Sequence, residues 1–340
     1  MAITKITTPE LFNLQSNNTE GTRLPVMTTT QRNAMTGMSN GELIFNSATD
    51  SVEYYDLDAT AWYKIDYNSE PFNVDYLVVA GGGGAAWGGG GGGGYRTSYG
   101  TGNINGGLTP VGTALTLEVA ISYTVTVGTA GARGSGRYDV GGTGGSSIFS
   151  SITSLGGLGG KSNSQAGDGG AAAGAGTYGF RGGINQGNAG SGGGGAAYSG
   201  TDTVGAPFYG TNGGVGLRND ITVSVAGTGP FYAGGGGGGN RQGYTTGSGG
   251  NGGGGNASLY FSSVPLSGVD NTGGGGGGTT YNNAVSWNTP GLGGTGVVIL
   301  RYPAGFTASS TLAHTDAVIS GSTDRIITIT GTGTGTVTFA

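Results

Sequence analysis

Runs of consecutive glycine at 81–84, 88–94, 192–195, 234–239, 252–255 and 273–278 restrict what this chain can fold into more than any other feature. Glycine loses more backbone freedom on folding than other residues, about 0.5–1 kcal/mol relative to alanine. Of the 83 glycines, 75 lie between Gly81 and Gly296. Their combined entropic penalty is on the order of tens of kcal/mol, well above the net stability of an ordinary domain. A conventional side-chain core does not offset it. An extended left-handed helix with three residues per turn has no internal hydrogen bonds. Where its faces carry only hydrogens, such helices can lie in contact and bond laterally, which satisfies buried backbone and excludes water by close packing. The runs therefore predict stacked polyglycine II-like helices. The competing reading is a flexible linker.

Composition supports a folded chain. Charged residues make up 9% of the 340 residues, against about 25% in typical domains, while 34% are hydrophobic, 17 are Tyr and the net charge is only −5. Disorder usually combines low hydrophobicity with high net charge. Collagen is excluded, because it needs glycine at every third position with abundant proline, and here 9 prolines accompany unbroken glycine runs. Scattered charges of net acidic sign argue against nucleic acid, which demands clustered Lys and Arg. No run of 18 apolar residues predicts membrane insertion. The start, MAITKITTPELF, lacks the apolar core of a secretory signal. That fits cytosolic synthesis followed by release, and equally a plain cytosolic protein. Cysteine is absent, so disulfides, thiolate chemistry and cysteine–zinc sites are excluded.

The expected fold class is all-β/irregular, in three parts. Residues 1–66 have normal composition and read as a small β-meander module for attachment or oligomerisation. A short helix is expected over Thr28–Met35 with Thr28 or Thr29 as cap, then strands at Gly41–Phe45, Val52–Tyr55 and Trp62–Ile65. Phe45, Tyr55 and Trp62 are its expected core. Residues 67–303 form the glycine-rich domain, framed by Val74–Ala80 (VDYLVVA) and Val297–Tyr302 (VVILRY). Both are short continuous apolar runs, the pattern of strands buried on both faces, and pairing them would close the domain. Leu115–Val127 (LTLEVAISYTVTV) alternates over thirteen residues and predicts one long strand. Residues 304–340 predict a β-tail, in which Thr occupies every even position from 328 to 338 and the odd positions of Ile327–Phe339 are apolar or glycine.

Catalytic patterns fail on inspection. The one histidine, His314, has no GxSxG elbow or second histidine to work with, and reads as a solvated turn residue. Gly160-Lys161-Ser162 imitates the end of a phosphate loop, but Leu155 stands where that motif requires glycine. Gly81 and Gly83 follow a strand as in a dinucleotide fingerprint, yet 88–94 forbids the helix the motif must open. Asp56 and Asp58 imitate part of a calcium loop, with Tyr67 in place of its bidentate Glu, and read as turn residues. No enzyme, cofactor or metal site is expected.

Binding chemistry remains. Between the glycine runs lie short polar and aromatic segments, such as Tyr95–Asn105, Tyr178–Asn188, Tyr198–Asn212 and Asn240–Thr246. Tyr with Ser, Gly, Asn and occasional Arg is the composition of adaptable recognition loops, where rigid amphipathic rings supply contact area at small entropy cost. The candidate receptor-contacting residues are Tyr95, Arg96, Tyr99, Tyr138, Tyr178, Phe180, Arg181, Tyr198, Tyr209, Arg241, Tyr244, Tyr281 and Trp287. The bland alternative is that these rings cap the glycine stack as a small core.

LPVMTTTQRNAM at 24–35 and GELIFNSATDSVEYYDLDATAW at 41–62 resemble short modules of phage fibre and baseplate proteins, with Pro25, Arg32, Gly41, Phe45, Asn46, Thr49, Tyr55 and Trp62 as the specific positions. Phe45 stands where Tyr is commoner, and Asp56-Leu-Asp58 replaces a shorter turn. VDYLVVAGGGG (74–84), GGGGYRT (91–97), SYTVTVGTAG (122–131) and GVVILRYP (296–303) resemble the glycine-rich domain of phage tail proteins. The resemblance implies a homotrimeric fibre or appendage on the virion, fixed to other virion proteins at one end, with loops that bind a host-surface receptor. A capsid decoration or other purely structural virion subunit is the alternative. Ice binding, through flat glycine or threonine surfaces, is a remote third.

Overall fold

The glycine runs pass through the interior of the larger of two units, Met1–Glu70 and Pro71–Ala340. The computed structural model describes residues 24–65, 71–100, 104–135, 139–161, 179–185, 189–203, 208–241, 244–258, 265–280 and 289–340.

The smaller unit is a β-meander with one helical turn. Strand β1 (Val26–Met27) leads into α1 (Thr29–Asn33), followed by β2 (Leu43–Asn46), β3 (Ser51–Asp56) and β4 (Ala61–Lys64), in sheet order β1-β2-β3-β4. Thr28 caps α1 because its hydroxyl accepts the Gln31 N–H at 3.3 Å while Gln31 Oε1 accepts the Thr28 N–H at 2.8 Å. This reciprocal pair satisfies two otherwise unpaired donors. The Asp56 carboxylate accepts the amides of Asp58 and Ala59 at 2.9 and 3.1 Å, the turn role expected of it. Tyr55 is buried as expected, but Phe45 and Trp62 are only half-buried. Strand alternation explains Phe45: Ile44 and Asn46 take the inward positions, so Phe45 faces the other way.

In the larger unit the strands are β5 (Phe72–Val79), β6 (Tyr95–Thr97), β7 (Ile104–Asn105), β8 (Thr109–Pro110), β9 (Leu115–Leu117), β10 (Ser122–Val127), β11 (Ser147–Phe149), β12 (Ile152–Ser154), β13 (Leu217–Arg218), β14 (Phe231–Tyr232), β15 (Val297–Pro303), β16 (Ala308–Ser310), β17 (His314–Val318), β18 (Asp324–Ile329) and β19 (Gly333–Phe339). One sheet has the order β17-β18-β15-β5-β6, with β9 also on β5, and another has the order β12-β11-β10-β19-β16. The framing strands pair directly, antiparallel from Val79↔Val297 to Asp75↔Arg301. Both are buried on two faces, which is why they read as continuous apolar runs. Val74, Tyr76, Val78, Val298, Leu300 and Tyr302 face the second sheet and pack with Val125, Phe149, Val337 and Phe339. Leu77, Val79, Val297 and Ile299 face the opposite way, onto Tyr95, Leu217, Ile221 and Tyr232. Residues 304–340 belong to this unit, supplying strands to both sheets.

The expected single strand over Leu115–Val127 is two strands in different sheets. The chain turns at Ala120, which has φ +60°, so β9 adds to β5 while β10 pairs with β11 and β19. Its alternation survives the break because both sheets face one core: Leu117, Val125 and Val127 are all buried there. Ile121, beside the turn, is exposed.

The glycine runs bond laterally with a period of three. Gly81 and Gly84 donate to Gly145 and Gly142, while Gly82 and Ala85 donate to Gly294 and Gly291. In the next run Gly88, Gly91 and Gly94 donate to Lys161, Leu158 and Leu155, Gly89 and Gly92 to Ser191 and Gly194, and Gly90 and Gly93 to Gly276 and Gly273. Three residues per turn aim successive amides at three different neighbours, as a polyglycine II packing requires. The run at 234–239 repeats the pattern towards Gly252 and Gly255, Gly214 and Thr211, and Gly90 and Trp87. A Cβ on Gly90 would overlap the Gly83 carbonyl, and one on Gly236 the Gly276 carbonyl. Side chains are excluded by this spacing.

Candidate functional site

The loops that leave the glycine stack sort the sequence-derived candidates into core and surface. Tyr95 is fully buried, so its expected place in a recognition loop is corrected. It directly follows the 88–94 run as the first residue of β6, and its hydroxyl accepts the Asn219 side-chain N–H at 2.7 Å. Burial pushes its phenol pKa well above the ordinary value. Tyr99 is also turned inward: the Arg301 guanidinium lies 4.6 Å from its ring centroid and donates to its hydroxyl at 2.6 Å. Arg96 is half-buried on the same strand as Tyr95 and donates to the Thr153 carbonyl at 3.4 Å. These three residues stabilise the unit. Tyr138, Tyr178, Tyr281 and Trp287 lie outside the described residues.

Two surface groups remain. Phe180 donates its amide to the Gly195 carbonyl at 3.1 Å, and Gly195 in turn donates to the Tyr198 carbonyl at 2.9 Å. The glycine helix thus sets the half-exposed Phe180 and the exposed Tyr198 on either side of itself. Arg181, next in sequence, holds Asp202 through two bonds of 2.7 and 2.9 Å. Arg181 and the Ile184 amide keep the Asp202 carboxyl below its usual range.

Farther along the chain, Tyr244 stacks on Phe208 with ring centroids 5.2 Å apart and meets Tyr209 edge-on at the same distance. Arg241 lies over the Phe208 ring, 5.7 Å from its centroid. The two loops are bonded together by Arg241 N–H to Phe208 O at 3.1 Å and Gly210 N–H to Thr245 O at 2.9 Å. From below, the buried Trp87 indole donates to the Asn240 carbonyl at 3.3 Å. Tyr209 and Tyr244 are 43% and 41% exposed despite this fixation, so their rings are both held and open. The two groups are connected: Thr201 donates to the Asn212 carbonyl at 2.9 Å, and the Thr211 hydroxyl returns to the Thr201 carbonyl at 2.5 Å.

The structure therefore brings Tyr209, Arg241 and Tyr244 into one cluster, and Phe180, Arg181 and Tyr198 around one glycine helix. Phe208, absent from the sequence-derived set, is the ring on which the first cluster is built. Its signal was adjacency to Tyr209 within an aromatic loop.

The threonine ladder expected over Thr328–Thr338 is divided, because Thr328 lies on β18 and Thr334, Thr336 and Thr338 on β19, in different sheets. On β19 the Thr334 hydroxyl lies 3.0 Å from that of Thr126 and the Thr338 hydroxyl 3.3 Å from that of Ser122, both on β10. His314 is exposed in β17 and its Nδ1 lies 2.8 Å from the Leu312 carbonyl. Among the described residues, no group of three or more His, Cys, Asp or Glu is arranged to hold a metal ion. None of their helices is long and apolar enough to cross a membrane.

A family model for a glycine-rich domain matches residues 58–303. A second, for a phage tail-like trimerisation region, matches residues 4–75. No curated protein matches the chain.

Proposed function

The chain belongs to the glycine-rich domain family and carries a phage tail-like trimerisation region, a phage tail fibre-type combination, and from that premise we propose that it is a homotrimeric tail-fibre or appendage subunit that attaches the virion to the host surface. The smaller unit joins the copies and anchors them to other virion proteins. The larger unit carries the receptor-contacting loops.

The observation that supports attachment is the Phe208–Tyr209–Tyr244 cluster. Its rings are partly exposed although Trp87, bonded to the same loop, is buried, and its loops are fixed by backbone bonds and by a glycine scaffold. Preformed rings lose little entropy on binding, and their apolar faces suit the C–H faces of sugars, while tyrosine hydroxyls and Arg241 can bond to glycan hydroxyls. Trimeric presentation raises the avidity of contacts that are weak singly.

Adsorption of purified protein to host cells tests this reading. Replacing Tyr209 and Tyr244 together by Ala should lower adsorption at least tenfold with thermal unfolding nearly unchanged. Unaltered adsorption by a folded double variant would remove the cluster from the receptor site.

A further inference from the structure

The meander of the smaller unit carries apolar side chains on both faces. Its covered face is mixed: Asn46, Ser51 and Glu53 are buried there beside Met27, Ile44 and Tyr55. Arg32 of α1 reaches over this face to Glu53 at 2.6 Å, and Thr29 reaches Asn46 at 3.3 Å. The other face is apolar. Strand register aligns Val26, Phe45 and Val52 in one row, extended by Ile65, whose amide donates to the Val52 carbonyl at 2.8 Å. The adjacent row is Leu43, Tyr54 and Tyr63, with the two tyrosine rings stacked at 5.7 Å. None of the seven is buried, and Val26 and Tyr63 are 69% and 45% exposed. A contiguous apolar face left open on a sheet marks an interaction surface.

We propose that this face is where three copies of the chain meet, the Val26–Phe45–Val52–Ile65 row of each sheet closing on those of its two partners. The inference rests on the trimeric reading above and specifies the surface that produces it. A second copy is the indicated occupant because the match to a trimerisation region, residues 4–75, contains the whole sheet. Closed cyclic symmetry brings the same residues of every copy to the axis. The seven apolar side chains can meet their own copies without repulsion, and the one acidic residue of this face, Asp56, lies at its edge by the β3–β4 turn. The polar network under α1 is then the device that keeps the helix on the far face, since Arg32 and Glu53 would lose their partners if the sheet were covered the other way round.

The chain contains no cysteine, so a single introduced thiol reports position without background. The test begins with the mass of the native full-length protein by light scattering. Val52→Cys, treated with a short bis-maleimide, should give covalent dimers in high yield, and Asp58→Cys, in the β3–β4 turn, should give at least tenfold less. Phe45→Glu should raise the concentration needed for trimer formation at least a hundredfold, while its larger unit keeps its own unfolding transition. A native monomer would overturn the trimeric reading and this interface together. A native trimer in which Val52→Cys cross-links no better than Asp58→Cys, or in which folded Phe45→Glu remains fully trimeric, would overturn the interface alone.

Discussion

Gly236 donates its amide hydrogen to the Gly90 carbonyl at 2.8 Å, across a gap in the sequence of more than a hundred residues, while a Cβ on Gly236 would overlap the Gly276 carbonyl. The bond and the exclusion have one cause. The backbones approach until amides and carbonyls satisfy one another, and that distance leaves no room for a side chain.

Gly236→Ala should therefore destabilise the larger unit by about 3 kcal/mol or more, because the obstructing atoms are rigid backbone. Gly305→Ala is the control, since nothing lies within 4 Å of a Cβ there. It should leave the unfolding temperature nearly unchanged. Scanning calorimetry of the two variants checks the difference.

Amide exchange gives a second, independent check. Amides of Gly90, Gly93, Gly235 and Gly238 donate to Gly276, Gly273, Gly214 and Thr211 in the interior of the stack. They should exchange on the order of a hundredfold or more slower than in an unstructured glycine peptide, as buried cooperative units do. Exchange at peptide rates throughout the runs would show that the runs are linkers.

Much of this architecture is legible in the sequence, because its signals are local. Val74–Ala80 and Val297–Tyr302 read as doubly buried strands, and β5 and β15 are the paired centre of the larger unit. Thr28, one of the two residues the sequence offers as helix cap, is the cap, while the reciprocal bond from Gln31 is seen only in the structure. What stays hidden depends on contacts between distant segments. The alternation of Leu115–Val127 is indifferent to whether one sheet or two lie over the core, so the turn at Ala120 leaves no trace in it. Tyr95 and Tyr244 sit in similar Gly/Tyr/Thr surroundings, yet one meets Asn219 in the interior and the other meets Phe208 at the surface. Composition alone does not separate these environments.

That contrast is itself testable. Tyr95→Ala should cost about 3–5 kcal/mol, the range for deleting a fully buried aromatic ring, and it removes one of the Asn219 side chain's partners as well. Tyr95→Phe keeps the ring and should cost about 1–3 kcal/mol through the unsatisfied Asn219 donor. Tyr244→Ala, at a surface stack, should cost under about 1.5 kcal/mol. Chemical denaturation of the three variants, with unchanged m-values, measures each directly. A Tyr244→Ala variant as unstable as Tyr95→Ala would move that ring from the binding surface to the core.

Acid should weaken the smaller unit through Glu53. Burial alone would raise its carboxyl pKa, but hydrogen bonds from Arg32, Asn46 and Thr49, with the Arg32 charge, more than offset this, so the pKa lies below the ordinary 4.5. A carboxyl depressed in the folded state stabilises fully above its unfolded value and loses that contribution as pH falls through the folded one. Stability should thus be flat above the ordinary carboxylate range and decline below it. Glu53→Gln keeps the shape but removes the charge opposite Arg32, and should cost about 1.5–3 kcal/mol at neutral pH, the worth of a charge-assisted bond. The same variant should show a shallower acid decline than the native chain. Calorimetry of the smaller unit's transition between pH 3 and 7, both ends approximate, checks the sign. If native and variant declined in parallel, another carboxylate would control the acid response, and the Arg32–Glu53 bond would not be what holds α1 against the sheet.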